Sequence, residues 1–152
     1  MPLRLLVLLV FLLGSSAPVL LAQCPEIALN DLQFLQKTDP AGKESRIAAL
    51  GFDARNEFVR NGATFRGYSK CWQTTVNGKA VFEQKIVWNV TQNTVMFLTL
   101  NPAHYQTLRV AVGERHPEAG DQNVVVGKMF RYEFSIQQMD GVDYYALAVS
   151  LR

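Results

Sequence analysis

The dipeptide Asn77-Gly78 constrains the fold of this chain more than any other feature, because it lies between two runs of alternating residues. Asn-Gly in this setting is the strongest short-range hairpin signal: both central residues of a type I′ turn need a positive φ. With a second turn near Gln92-Asn93, the segment Phe65–Leu100 is predicted to form three consecutive antiparallel strands. Val95–Leu100 is apolar on both faces and is therefore predicted to be an interior strand.

Short helices are predicted before and after these strands. The segment Ile27–Lys37 has leucines at helical spacing. Asp39-Pro40 combines an N-cap residue with a proline at the first helical position, which predicts a second helix up to Leu50. Asn101-Pro102 repeats this start signal, so we predict a third helix there. A strand at Thr107–Val112 is the competing interpretation, because its apolar residues also alternate.

The C-terminal part is predicted to be another hairpin. Val124–Gln138 and Asp143–Leu151 alternate in the manner of strands, and Asp140-Gly141 between them is a favoured hairpin turn. A short strand is predicted around Phe58-Val59. The fold class is therefore α+β, with an antiparallel sheet of about five to six strands and two or three short helices packed mainly on one face. Two helix–hairpin units side by side are one arrangement that fits this order.

The first residues predict export rather than a place in the fold. Met1–Ala22 contains an early arginine, an apolar run and a Gly-Ser-Ser-Ala-Pro break, which is typical of a signal peptide. We predict cleavage after Ala22, which leaves 23–152 as a single secreted or periplasmic α+β domain. Leu21-Ala22-Gln23-Cys24 also resembles a lipoprotein processing site, although Gln is a poor match there. The alternative is therefore a surface or periplasmic lipoprotein anchored to a membrane at Cys24.

The two cysteines, Cys24 and Cys71, are predicted to form a disulfide bond, as an even count in an exported protein favours. Removal of the signal peptide removes Arg4 and no acid, so the formal net charge falls from +2 to +1. That balance does not favour binding to nucleic acid. No motif for a cofactor, a metal or a phosphate is present, so none is predicted.

The aromatic residues give the most suggestive candidate surface. Arg66, Tyr68, Lys70 and Trp72 share one face of their predicted strand, and Tyr144 lies opposite the apolar row of the last strand. If these faces meet, they form an aromatic and basic surface of the kind enriched at protein interfaces. The interpretation that competes, and that we prefer for the two aromatic residues of the first strand, is packing beneath a helix.

The sequence favours a binding domain over an enzyme, because no nucleophile motif and no cluster of catalytic residues accompanies its clear fold pattern. A protein partner is the first hypothesis, with an interaction, inhibitor-like or immunity-like role. A carrier of a small apolar ligand is the second, and would need a pocket lined by Trp88, Phe97 and Tyr132. A hydrolase is the third, and would need His104 or His116 beside a carboxylate in a cleft.

Overall fold

In the computed structural model, which describes residues 23–152, the chain forms an α+β domain. Within these residues, three helices accompany one antiparallel sheet, which confirms the predicted class. The helices are α1 (Leu29–Lys37), α2 (Pro40–Ala49) and α3 (Pro102–Arg115), with a 3-10 turn at Pro117–Ala119. The strands are β1 (Asp53–Arg60), β2 (Ala63–Val76), β3 (Lys79–Asn89), β4 (Thr94–Thr99), β5 (Val124–Val126), β6 (Phe130–Met139) and β7 (Val142–Leu151).

The described sheet has seven strands, more than the five to six predicted. The reason is that the predicted strand Val124–Gln138 is interrupted: the backbone turns after Val126, and the Gly127 N–H donates to the Phe130 carbonyl at 2.8 Å. β1 also differs from the prediction in length, because it spans eight residues rather than two. Most of its side chains are exposed, so no apolar alternation marks its full length in the sequence.

The strand order is β1-β2-β3-β4-β7-β6-β5. Two meanders, β1–β4 and β5–β7, therefore meet where β4 pairs with β7, and a helical segment precedes each meander. β4 lies at the centre of the sheet with most of its residues buried, which confirms the predicted interior strand. The two edges of the sheet are β1 and β5.

The helix start signals act as the sequence predicts. The Asp39 carboxylate accepts from the Gly42 N–H at 2.9 Å, and the Asn101 amide oxygen accepts from the Ala103 N–H at 2.9 Å. The segment with two interpretations is helical. Leu108 and Val112 are buried whereas Val110 is 49% exposed, which is the burial expected for a helical period and not for a strand.

The main core lies between the helices and one face of the sheet. The leucines of α1, Ile47 of α2 and Leu108 of α3 pack with Trp88 and Phe97 of the central strands. All the buried apolar helix residues belong to this cluster, so the described helices pack on one face of the sheet, as predicted.

The other face of the sheet has a smaller buried cluster, which is covered where two hairpins of the sheet contact each other. This cluster contains Leu98 and Tyr144 and no helix residue. Because β4 ends at Thr99, the β2–β3 and β6–β7 hairpins extend beyond it and contact each other. The Tyr144 hydroxyl donates to the Phe82 carbonyl at 2.9 Å, and Lys85 forms an ion pair with Asp140.

The disulfide between Cys24 and Cys71 is confirmed, with a Cα–Cα distance of 5.8 Å. It ties the segment before α1 to the middle of β2. The bond indicates a compartment outside the cytoplasm, because disulfides persist under oxidising conditions. It also occupies the Cys24 sulfur to which a lipid would be attached. The predicted signal peptide, Met1–Ala22, lies outside the described residues.

Within residues 23–152, no helix is both long enough and apolar enough to span a bilayer.

Candidate functional site

The five residues of the predicted aromatic and basic surface do not form one surface. Tyr68 and Lys70 are buried, whereas Trp72 is 61% exposed. Between them Cys71 has a φ of 57°, a left-handed conformation that interrupts the regular pleat of β2. Tyr144 is fully buried on the opposite face of the sheet, so its inclusion in an exposed surface is wrong. Only Arg66 and Tyr68 of this set line a common cleft.

That cleft, which we call the α2–β1 cleft, has a volume of about 430 Å³ and lies between α2 and the first two strands. Four consecutive residues of β1, 54–57, line it. The register shift between Ala54 and Asn56 interrupts the alternation of side chains, which allows consecutive residues of this edge strand to line one cleft. The remaining lining residues are Glu44, Ala48, Phe52, Arg66, Gly67 and Tyr68.

An arginine with two carboxylate partners forms the charged side of the α2–β1 cleft. The Arg66 Nε donates to Glu57 Oε2 at 2.6 Å, and its Nη1 donates to Glu44 on α2. The hydrogen bond with Glu57 is the main cause that raises the pKa of Arg66. Burial raises the pKa of the neighbouring Tyr68 hydroxyl, which favours its neutral form. The charges are therefore paired inside the cleft itself.

The opposite side of the cleft is apolar. Phe52 is 3% exposed and follows Gly51. Gly51 has a φ of 83°, a left-handed conformation that terminates α2 and directs the chain back against the helix. Ala48 and Ala54 complete this side with small side chains. The Lys70 ammonium lies 4.6 Å from the Phe52 ring centroid and donates to the Pro25 carbonyl at 2.6 Å. Lys70 is therefore buried behind Phe52 and packs against its ring instead of pointing into solvent.

The hydrogen bonds around Thr64 show which main-chain groups of β1 face outward. The Thr64 carbonyl accepts from the Val90 N–H at 2.8 Å, and its N–H donates to the Thr91 hydroxyl at 3.0 Å. Both groups point away from β1, so Val59, which lies opposite Thr64, is not hydrogen-bonded to β2. The N–H and C=O groups of Val59 and, by alternation, of Glu57 therefore point to the free edge.

None of the five best-defined clefts in the described part of the chain is the apolar pocket that the carrier hypothesis needs. Trp88, Phe97 and Tyr132 are each 1% exposed within the main core. Neither Trp88 nor Phe97 lines one of those clefts, because α1 fills the space above β4 and β7.

The two histidines differ in their surroundings. His104 is buried, and its Nε2 lies 2.8 Å from the Ile27 carbonyl. His116 lines a second cleft, where its Nδ1 is 3.5 Å from Glu118 Oε1, longer than an ordinary hydrogen bond. Among residues 23–152, no three histidine, cysteine or acidic side chains are placed together to hold a metal ion.

Sequence reasoning placed only Phe58-Val59 in the edge strand that lines the α2–β1 cleft and missed the rest of Asp53–Arg60. The available signal was Asn61-Gly62, whose φ values of 51° and 76° form a tight two-residue turn. Such a turn implies that strands of matched length flank it. The polar composition of Asp53–Arg60 hid this strand, since an exposed edge needs no apolar side chains.

No family model matches the chain, and comparison with curated proteins and with solved structures gives no significant match.

Proposed function

We propose that this protein is an exported binding module that takes up an extended segment of a partner protein along the free edge of β1. The observation that carries this proposal is the α2–β1 cleft, which opens beside an edge strand whose Glu57 and Val59 main-chain groups face outward. A segment that adds to a sheet edge gains main-chain hydrogen bonds, and a neighbouring pocket selects alternate side chains.

The cleft determines the chemistry of the partner segment. Its apolar side, formed by Ala48, Phe52 and Ala54, suits one aliphatic or aromatic side chain. On its charged side, Arg66 is already paired with both Glu44 and Glu57, so an acidic side chain of the partner gains little there. The partner segment is therefore extended, with an apolar residue directed towards α2.

The edge is also protected against indiscriminate pairing. A register shift occurs between Ala54 and Asn56, and arginine and acidic side chains alternate along β1. Bulges and charges on an edge strand disfavour aggregation between copies. Docking is therefore restricted to the regular part of the strand, 56–60. The disulfide supports a secreted or periplasmic location, where the partner would be encountered.

Peptides selected by display against the disulfide-bonded protein provide ligands for a test of this proposal. The test measures hydrogen exchange of the β1 amides and the effect of a proline substitution in β1 on peptide binding. In the free protein the Glu57 and Val59 amides should exchange rapidly while those of Phe58 and Arg60 are protected by β2. A bound peptide should slow the first pair. Val59→Pro removes one outward donor without breaking a β1–β2 bond and should weaken binding at least about tenfold.

Val59→Thr is the matched control, because it keeps the N–H and the β-branched shape and should bind within a few-fold of the unmodified protein. Peptides that bind without slowing exchange at Glu57 and Val59, or that bind the proline variant equally well, would contradict docking at this edge.

A further inference from the structure

A second cleft lies at the other end of the sheet and has a different chemistry. It has a volume of about 590 Å³ and lies between α1, the C-terminal end of α3 and the β5–β6 turn. We call it the α3–β6 cleft. The lining residues that matter here are Gln33, Arg115, Lys128, Met129, Tyr132 and Arg152.

A directed chain of hydrogen bonds runs along this cleft. The Arg115 Nη1 donates to Gln33 Oε1 at 2.7 Å, and Gln33 Nε2 donates to the Tyr132 hydroxyl oxygen at 2.5 Å. The direction is fixed by chemistry, because a guanidinium can only donate. Gln33 must therefore present its oxygen to Arg115 and its NH₂ group to Tyr132.

The chain leaves one donor without an acceptor. The Tyr132 oxygen accepts from Gln33, so the hydroxyl proton must be given to another group, and none of the described residues accepts it. Tyr132 is 1% exposed, yet it lines the cleft. Burial raises the pKa of its hydroxyl, so the proton is retained at neutral pH. A hydroxyl proton at the wall of an open cleft is available to an acceptor atom of a ligand.

The cations around this donor are also available. Arg115 is held by the amide oxygens of Gln33 and Asn30 at 2.7 Å each, which fix its geometry without cancelling its charge. Arg115, Lys128 and Arg152 line the cleft, and among the described residues no carboxylate lies within ion-pair distance of them. Glu118 also lines the cleft, but its carboxylate lies beside His116, at 3.5 Å from Nδ1.

The remaining walls are apolar. Met129 and Val126 are 53% and 51% exposed beside the cleft, which is high for side chains of this type. The His116 ring packs directly against the backbone between them, since a Cβ on Gly127 would lie 2.4 Å from the His116 Cε1. The cleft thus combines a fixed donor, free positive charge and an exposed apolar wall.

We propose that the α3–β6 cleft binds a small organic carboxylate with a short apolar body. The carboxylate accepts the Tyr132 hydroxyl proton and is attracted by Arg115 and Lys128, while the apolar body covers Met129 and Val126. The volume is that of a small-molecule site. This site is independent of the β1 edge, so the two proposals stand or fall separately.

NMR of the disulfide-bonded protein with ¹³C-labelled methionine methyl groups tests the site with hexanoate as the probe. Met129 lines the cleft, whereas Met96 and Met139 pack with the cluster on the opposite face of the sheet and serve as internal controls. Hexanoate at constant ionic strength should shift the Met129 methyl resonance in a saturable manner and leave the other two unchanged. The absence of a Met129 shift would overturn the proposal.

Two further probes separate the parts of the ligand. Hexanol, which lacks the charge, and inorganic phosphate, which lacks the apolar body, should each bind at least about tenfold more weakly than hexanoate. Equal binding of hexanol would show an apolar site with no role for the charges. Equal binding of phosphate would show that the apolar wall is irrelevant, and either result would overturn the proposal.

Two variants separate the donor from the charge. Tyr132→Phe removes the hydroxyl and keeps the ring, and should weaken hexanoate binding about tenfold. Lys128→Gln changes an exposed side chain, so it should fold normally and weaken binding more at low salt than at high salt. Unchanged hexanoate affinity in a correctly folded Lys128→Gln protein would contradict the electrostatic part of the proposal.

Discussion

Each of the two clefts contains an arginine and a tyrosine, and the clefts lie at opposite edges of one sheet. They differ in the acceptors that hold the arginine. In the α2–β1 cleft, Arg66 is held by the carboxylates of Glu44 and Glu57. In the α3–β6 cleft, Arg115 is held by the amide oxygens of Asn30 and Gln33. Carboxylates orient a guanidinium and neutralise it, whereas amides orient it and leave its charge free.

This difference determines what each cleft can recruit. The α2–β1 cleft holds its arginine in ion pairs and offers a free strand edge and an apolar side, which suit a polypeptide. The α3–β6 cleft offers an oriented cation and an unused hydroxyl proton, which suit a small anion. The identity of the acceptor, rather than the presence of an arginine, separates the two sites.

Removal of the disulfide should have the largest effect on stability. The effect should also differ between the two clefts, because the bond ties only the half of the sheet that contains the α2–β1 cleft. The bond joins residues separated by 47 positions. Cys24→Ser with Cys71→Ser should therefore lower the free energy of unfolding by about 4 kcal/mol, as measured by urea denaturation. Hydrogen exchange should increase more in β2 than in β6.

Cys71→Gly in place of Cys71→Ser is the matched variant for this measurement. Glycine adopts a φ of 57° without the steric strain of a side chain, so it should recover about 1 kcal/mol relative to serine. Equal stability of the two double variants would show that the left-handed conformation exists only because the disulfide imposes it.

Substitution of Lys43 on α2 should have the next largest effect, which is on the pH dependence of stability. Lys43 is a buried cation in the half of the molecule that contains the α2–β1 cleft. Lys43 is fully buried, donates to the Asn93 side chain and lies 4.7 Å from the Trp88 ring centroid. Burial lowers its pKa from 10.5 to about 8. Between these values the unfolded chain holds more protons than the folded one, so the free energy of unfolding should rise with pH.

The expected rise between pH 8 and pH 10 is about 2 kcal/mol for the unmodified protein, measured by urea denaturation. Lys43→Met should remove most of it, whereas Lys79→Met, which changes an exposed residue at the start of β3, should preserve it. A pH profile that is the same in all three proteins would show that the Lys43 ammonium is solvated in the folded protein.

Alanine substitution of one glycine in each cleft should have the smallest effect on the free energy of unfolding. It also compares the two clefts most directly, because each glycine lies against a neighbouring side chain. A Cβ on Gly67 would lie 2.5 Å from Asn56 Oδ1, and a Cβ on Gly127 would lie 2.4 Å from His116 Cε1. Asn56 is exposed and its amide can rotate away, so Gly67→Ala should change the free energy of unfolding by less than about 0.5 kcal/mol.

The His116 ring has less freedom, because its side chain is 17% exposed and lies 5.7 Å from the Tyr132 ring. Gly127→Ala should therefore lower the free energy of unfolding by about 1 kcal/mol and shift the Tyr132 resonances. The reverse order of the two alanine variants would indicate that the α2–β1 cleft, and not the α3–β6 cleft, is the rigid one.

Most of the fold could be predicted from local signals, and the sites could not. Asn77-Gly78 and Asp140-Gly141 adopt the positive φ values that their turns require, and Asp39 and Asn101 cap the helices. Each of these signals acts over a few neighbouring residues. The predicted surface was wrong for Tyr144 because the contact that buries it, with the Phe82 carbonyl, comes from a hairpin 62 residues away.

The sequence by itself determined the α+β class, the helix starts, the central strand and the disulfide, because periodicity, turn chemistry and an even cysteine count are properties of the chain. Tertiary structure alone decided which acceptors surround each arginine and which strand edge stays free. Arg115 and Gln33 are 82 residues apart, and their pairing depends on how α1 and α3 cross the sheet. Long-range packing sets such contacts, and no local pattern in the chain encodes them.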